Sequence, residues 1–407
     1  MNMLQNASWT EARSLLLDRV QPVDREDAAL DACAGRVLAF DLKAGEDVPP
    51  FDRSAYDGYA FRAEDTERAS EARPAALRIT ETVRAGQTPK YPVRPGEAAH
   101  VMTGAIIPEG ADCVINFERT KFTADAVTLF EPMKSGSNIV KRGEDVKAGA
   151  LLAPCGTVID AGLAGALAAQ GIPRVPVYRK PVIGLVSTGS EVVEADQEQP
   201  LGTIRNANRA AFTALLTKEG CAVRYLGLAG DEAESIRTLI SEGIKTCDAV
   251  ILTGGVSVGD WDVTPDAMEK AGADILLRGV RMKPGMACAY GIADGKLVLG
   301  LSGNPASAFT NFCACCLPAV RRLCGRLDPL PRAFQASLEK GFRKKSPADR
   351  FLRGRLALED GTVRFLASKD QGNAVLSSAI GCNSFLLIPG GSGPVEAGTK
   401  LNGFMLE

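Results

Sequence analysis

Between residues 181 and about 325 the chain alternates apolar, β-branched runs with helical stretches, an order that few folds accommodate. PVIGLVS, VRYLGLAG, AVILTGG, DILLRGV and KLVLGLS read as strands, while stretches near Arg209 to Lys218, Glu232 to Ile244 and Ala306 to Leu323 read as helices. The alternation predicts a doubly wound α/β sheet with helices on both faces. Four of the strands run into chemically loaded loops: Ser187-Thr188-Gly189-Ser190-Glu191, Gly230-Asp231, the stretch from Gly254 and Gly255 through Gly259 to Asp260 and Asp262, and Ser302-Gly303-Asn304-Pro305. Loops at the carboxyl ends of parallel strands are where open α/β sheets bind ligands, with amides available to an anion and acids to a hard cation. Asn304 is placed to cap a helix beginning at Pro305, which would leave amides facing the site. Arg281-Met282-Lys283-Pro284-Gly285 adds a cation on a stiff proline turn.

At 407 residues the chain exceeds one core, and two to four domains are expected. With 47 basic against 49 acidic residues, the balance argues against a dedicated nucleic-acid binder and for a small-molecule substrate. No segment approaches a membrane-spanning length and the N-terminus lacks the pattern of a cleaved leader, so a cytoplasmic location is expected. Eleven scattered cysteines read as reduced thiols, and Cys313, Cys315, Cys316 and Cys324 as small buried side chains of an apolar helix. His100 is the only histidine. The chemistry therefore rests on Asp, Glu, Lys, Arg and backbone amides.

Residues 8 to 19 predict an amphipathic helix with Ser8 and Glu11 as a capping box, and Glu26 to Cys33 a second short helix. Val48 to Phe61 (VPPFDRSAYDGYAF) reads as a proline-broken loop, and residues 75 to 131 as a small all-β domain. NIVKRGEDVKAG gathers four charges around Gly143, and AGLAGALAAQG resembles a helix closed by glycine. From about Leu330 the pattern is that of a terminal β domain, with a hairpin turn at Glu359 to Gly361.

Taken in order, FDRSAYDGYA, MTGA followed by PEGAD, NIVKRGEDVKAG, STGSE, TGGVSVGDWD, MKPG and LSGNPASA resemble the molybdopterin molybdenumtransferases of molybdenum cofactor biosynthesis, a family that includes the C-terminal catalytic domain of gephyrin. The resemblance implies a multidomain α/β protein: a helical linking domain (1–47 and 140–180), an inserted β domain (48–139), a molybdopterin-binding α/β domain (181–328) and a C-terminal β domain (329–407). It implies a homodimer with sites between subunits, and transient contact with a molybdopterin adenylyltransferase or acceptor molybdoenzymes. The implied reaction inserts molybdate into adenylylated molybdopterin, with Mg²⁺ required and AMP released.

By motif, the resemblance assigns catalytic roles to Asp57, Asp145, Glu191, Asp231, Asp262 and Lys283, and magnesium to Glu191, Asp231, Asp260 and Asp262. It assigns substrate binding to Thr103, Ser190, Gly254, Gly255, Ser257, Ser302, Asn304, Arg350, Arg353 and Ser378. Two departures stand out. The family's usual KPGKP is KPGMA here, with Met286 in place of a second lysine, and LPGNP is LSGNP, with Ser302 adding a hydroxyl. Gly279 also stands where some relatives carry lysine, with Arg278 and Arg281 nearby. These changes leave a tungstate-preferring homologue and a non-catalytic molybdopterin carrier as alternatives. A nucleotide-binding hydrolase of related fold ranks below both, because it leaves FDRSAYDGYA and the β domains unexplained.

Overall fold

The computed structural model of the protein describes residues 3–256, 263–359 and 361–406. Two compact units emerge, and the chain passes between them repeatedly. The first comprises residues up to Phe40, Cys155–Asp160 and everything from Arg174 onward; the second comprises Asp41–Pro154 and Ala161–Pro173.

The first unit is built on a seven-stranded sheet of β1 (Leu4–Ala7), β2 (Val182–Thr188), β3 (Ala222–Ala229), β4 (Ala249–Thr253), β5 (Asp274–Val280), β7 (Cys288–Ala293) and β8 (Lys296–Leu301), with the short β6 (Met282–Lys283) outside it. Its order is β1-β5-β7-β8-β4-β2-β3. All neighbours pair in parallel except at β7, which is antiparallel to both β5 and β8. The expected alternation missed β7, although its signal is present. Asp294 and Gly295 both have positive φ (49° and 74°), the conformation that lets a DG pair close a two-residue hairpin between β7 and β8.

Helices cover both faces. On one lie α1 (Trp9–Leu17), α2 (Ala207–Lys218), α5 (Pro305–Asn311) and α6 (Leu317–Leu323); on the other lie α3 (Ala233–Thr246) and α4 (Thr264–Lys270). The predicted capping box opens α1: the Glu11 amide donates to Ser8 Oγ at 3.2 Å, and the Ser8 amide to Glu11 Oε2 at 2.8 Å. Between α5 and α6 the helix widens into a π turn over Phe312–Cys316. Pro318 supplies the reason, since it has no N–H for the carbonyl four residues earlier. Cys313, Cys315 and Cys316 are fully buried within this turn, and burial raises their thiol pKa values. At the far ends of α2 and α6, Glu219 accepts two hydrogen bonds from Arg321 (2.8 and 2.9 Å) and an ion pair from Arg326 (2.9 Å), with only 1% of the Glu219 side chain exposed.

The C-terminal strands β9 (Ala333–Leu338), β10 (Asp349–Glu359), β11 (Thr362–Ala367), β12 (Ser384–Ile388) and β13 (Lys400–Met405) run in the order β10-β11-β9-β13-β12, and β12 pairs back with β10 to close a barrel. β6 adds to its outside, pairing Lys283 with Arg350 in parallel register. Glu359 faces Thr362, as the predicted hairpin requires.

Glu26 to Cys33 is not a helix. Arg25–Ala29 is a strand paired antiparallel with Arg174–Tyr178, followed by a single 3₁₀ turn over Leu30–Ala32. The long-range partner satisfies the backbone of a segment whose local pattern favoured a helix.

In the second unit a six-stranded sheet carries Gly58–Phe61 between Cys113–Asn116 and Glu97–Val101. The end of the expected VPPFDRSAYDGYAF loop is thus a buried strand. Gly58 permits this, because a Cβ there would lie 1.9 Å from the Ile115 carbonyl oxygen. The Lys141 and Arg142 side chains of the charged turn pair with Asp52 at 2.9 Å and Asp47 at 2.6 Å. Ala161–Ala169 forms the expected helix.

Candidate active site

At the carboxyl ends of β2, β4 and β8 opens a cavity of about 1050 Å³, whose wall includes Glu191, Asp231, Gly254, Gly255, Lys283 and Ser302. It sits where the chain reverses its direction of strand addition, with β3 on one side of β2 and β4 on the other.

Hydrogen bonds bind the strand ends to one another. Thr188 Oγ1 donates to the Thr253 carbonyl at 3.3 Å, and the Gly254 amide to the Leu301 carbonyl at 2.9 Å, so three adjacent loops share one frame. Gly254 has φ 115°, and a Cβ there would fall 2.2 Å from Thr188 Oγ1, so only glycine fits this close approach. The Ser190 amide donates to Asp231 Oδ2 at 3.2 Å, which ties the loop after β2 to the loop after β3.

Sequence reasoning missed the wall formed by Arg205, Asn206 and Asn208. Asn206 caps α2 by accepting from the Arg209 amide at 3.1 Å, and its Nδ2 donates to Glu194 at 3.1 Å. Burial works against ionisation of Glu194, but hydrogen bonds from Tyr225, Arg209 and Asn206 outweigh it and hold the carboxyl below its ordinary pKa. Arg205 Nη1 donates to three carbonyls, of Glu194, Ala195 and Gln197, at 2.7–3.1 Å. An asparagine directly before a helical run was the available signal.

Lys283, by contrast, is exposed, and among the described residues it forms no ion pair. Met286 shares the cavity wall and is 60% exposed, so the position of the missing lysine is open to the cavity and uncharged. The helix end at Asn304 differs from expectation. The Asn304 side chain makes no capping bond to α5; its own amide donates to Ser302 Oγ at 3.2 Å, and the Ser307 amide donates to the Asn373 carbonyl at 3.1 Å. Fewer free amides face the cavity than the sequence suggested.

Arg350, Arg353 and Ser378 are not in the wall. Arg353 is fully buried; it donates to Ser378 Oγ at 2.6 Å, to the Gly372 carbonyl at 3.1 Å and to Thr310 Oγ1 on α5 at 3.4 Å. Arg350 lies over the Phe342 ring, 5.2 Å from its centroid. Burial lowers the pKa of both guanidiniums. The barrel instead contributes Ser346, Pro347, Ala348, Asn373 and Ala374 to the cavity.

Asp57, Thr103 and Asp145 belong to the second unit. Asp57 Oδ1 accepts from the Thr103 amide at 2.6 Å and from Thr103 Oγ1 at 2.7 Å, and these two bonds hold its carboxyl below the usual range. A carboxyl whose pKa is depressed on folding contributes stability above its unfolded pKa and loses it as pH falls through the folded value. Thr103→Val is therefore expected to move the Asp57 titration upward towards that of a free aspartate, as followed by carboxyl chemical shifts between about pH 2 and 6. An unchanged midpoint would remove the hydroxyl's role. Asp145 is exposed. His100, on the same sheet, stacks on Tyr59 with ring centroids 5.0 Å apart, and burial lowers its pKa.

Ser257, Asp260 and Asp262 lie outside the described residues. Among the described residues no group of three His, Cys, Asp or Glu side chains is placed to hold a metal. Glu191 and Asp231 nevertheless give the cavity two hard oxygen donors, a set that suits Mg²⁺, which takes one or two carboxylates and fills its shell with water and phosphate oxygens.

Comparison with known proteins covers nearly the whole chain. Residues 7–171 match the MoeA N-terminal region (domain I and II), 184–322 a probable molybdopterin binding domain, and 335–402 the MoeA C-terminal region (domain IV). The molybdopterin molybdenumtransferase of Bacillus subtilis strain 168 is 37% identical over 391 residues, covering 94% of this chain and 90% of that protein. That of Staphylococcus aureus strain N315 is 33% identical over 397 residues, covering 98% and 95%. The crystal structure of the molybdopterin biosynthesis moeA protein from Pyrococcus horikoshii OT3 superposes with a TM-score of 0.85 at 32% identity, covering 98% of this chain and all of that one. The chain belongs to the molybdopterin molybdenumtransferase family.

Proposed function

We propose that the protein inserts molybdate into adenylylated molybdopterin and releases AMP, completing molybdenum cofactor biosynthesis. The observation that carries this reading is the convergence of Glu191, Asp231 and Lys283 on one large cavity at the carboxyl edge of the sheet. Its volume suits a pterin joined to a nucleotide. Gly254 and Gly255 bring backbone close to the ligand, with Ser190 and Ser257 as hydroxyl partners. Lys283 donates to an anionic oxygen that gains charge as the linkage breaks. Ser302 and Asn304 add neutral donors.

Glu191 and Asp231, joined by Asp260 and Asp262, would hold Mg²⁺, which when bound neutralises the phosphoanhydride and favours departure of AMP. Ser190 keeps Asp231 oriented for that task. The same proposal includes a cytoplasmic homodimer in which Asp57, oriented by Thr103, comes from the partner subunit, with Asp145 as a further acid.

The test is turnover. Purified protein supplied with adenylylated molybdopterin, molybdate and Mg²⁺ is expected to release AMP, with tungstate assayed in parallel to establish the preferred oxyanion. Folded protein that binds the substrate and releases none sinks the catalytic reading. The open, uncharged position at Met286 makes a carrier the alternative, and tight binding without turnover would establish it.

A further inference from the structure

The cavity wall carries few cations for the charge it is asked to bind. Arg205, with its Nη1 on three carbonyls, and Lys283 line it together with Glu191 and Asp231, and Met286 is neutral. A phosphoanhydride or a tetrahedral dianion approaching this wall meets two carboxylates. Mg²⁺ held by those acids would offset them at contact, and positive charge at the rim would act earlier, on approach.

Arg343-Lys344-Lys345 is the densest basic tract in the first unit, and all three residues are exposed and free of ion pairs among the described residues. It is anchored at both ends. Phe342 exchanges backbone hydrogen bonds with Val395 at 2.7 and 2.8 Å, and the Ser346 carbonyl accepts from the Gly391 amide at 2.9 Å. Ser346, Pro347 and Ala348, which follow directly, line the cavity. Consecutive Cα atoms are 3.8 Å apart, so the Cα of Arg343 lies within about 11 Å of that of Ser346. That distance is close to the Debye length of roughly 8–10 Å at ordinary salt, so the tract's charge is felt at the cavity rim.

We propose that Arg343, Lys344 and Lys345 form an electrostatic capture surface that draws small polyanionic substrates into the cavity and supplies at the rim the charge absent at Met286. The proposal rests on the substrate reading above, in that it presumes phosphate- or oxyanion-bearing ligands. The surface acts on encounter rather than on the bound state, so it governs association and its salt dependence. The same chemistry serves either source, a nucleotide phosphate or a free tetrahedral oxyanion.

The test compares wild type, R343Q/K344Q/K345Q and the charge-retaining R343K/K344R/K345R for association with AMP and with tungstate, by stopped flow at about 20 mM and about 200 mM salt. Removing the charges is expected to slow association about tenfold at low salt, with little difference at high salt and an unchanged dissociation rate. The charge-retaining variant restores the wild-type rate. An effect on AMP alone assigns the surface to phosphate, and an effect on tungstate alone assigns it to the oxyanion. Equal association rates and salt slopes in all three proteins overturn the proposal, as does a change confined to dissociation. A folded wild type that binds neither ligand overturns the substrate reading itself, and the capture surface with it.

Discussion

Lys283→Ala is expected to slow AMP release by about 100-fold or more at saturating substrate, the scale associated with removing one preorganised donor from developing negative charge. The magnitude follows from the wall around it. Met286 provides no second ammonium, and the other cation of the wall, Arg205, is tethered through Nη1 to three backbone carbonyls. Backbone pairing with Arg350 fixes where the chain presents Lys283. Because it is exposed, its removal should leave the thermal midpoint within a degree or two. Lys283→Arg separates charge from shape: it retains the cation but presents a planar fork, so partial recovery implicates charge and none implicates position. Single-turnover AMP release measures all three. A loss below about threefold would remove Lys283 from the chemistry.

Glu219→Ala is expected to cost about 3–5 kcal/mol of stability, because it removes the carboxylate shared by Arg321 and Arg326 in the interior. The pair is strong only as a pair. The Arg321 side chain is 3% exposed and donates twice to Glu219, so loss of the acid removes a buried countercharge between α2 and α6. Arg326→Ala should cost much less, since its side chain is 19% exposed and Arg321 remains on the carboxylate. Urea denaturation followed by far-UV circular dichroism would rank the two. Equal losses would show that the interior pair contributes no more than the outer one.

Much of the architecture was legible because local and long-range preferences agree. The inner parallel strands β2, β4 and β8 are apolar runs, and each pairs near where its pattern begins and ends. The cavity acids could be read because they follow directly on strand ends. What escaped depends on partners distant in sequence. Arg25–Ala29 has helical composition and becomes a strand only because Arg174–Tyr178 lies beside it. The burial of Arg353 is invisible in RFLRGR, since it arises from barrel closure and from Thr310 on a helix of another domain. Nor does the sequence reveal that three carbonyls occupy Arg205, or that Ser302 takes up the Asn304 amide. Of the residues the motifs named, Glu191, Asp231, Gly254, Gly255, Lys283, Ser302 and Asn304 line the cavity and Arg350, Arg353 and Ser378 do not, because side-chain availability depends on contacts distant in sequence.

The first strand of the central sheet is completed by its fifth in chain order. β1 spans residues 4–7 and, among the described residues, its only strand partner is β5, at residues 274–280. During synthesis at about 5–20 residues per second, roughly 15–55 s separate the emergence of the two. Through that interval the amino-terminal segment has no strand to pair with, and β5 meets it only once made. A fusion or tag placed before β1 would act at that step, lowering the yield of native protein made in cells while leaving the activity of each correctly folded molecule unchanged.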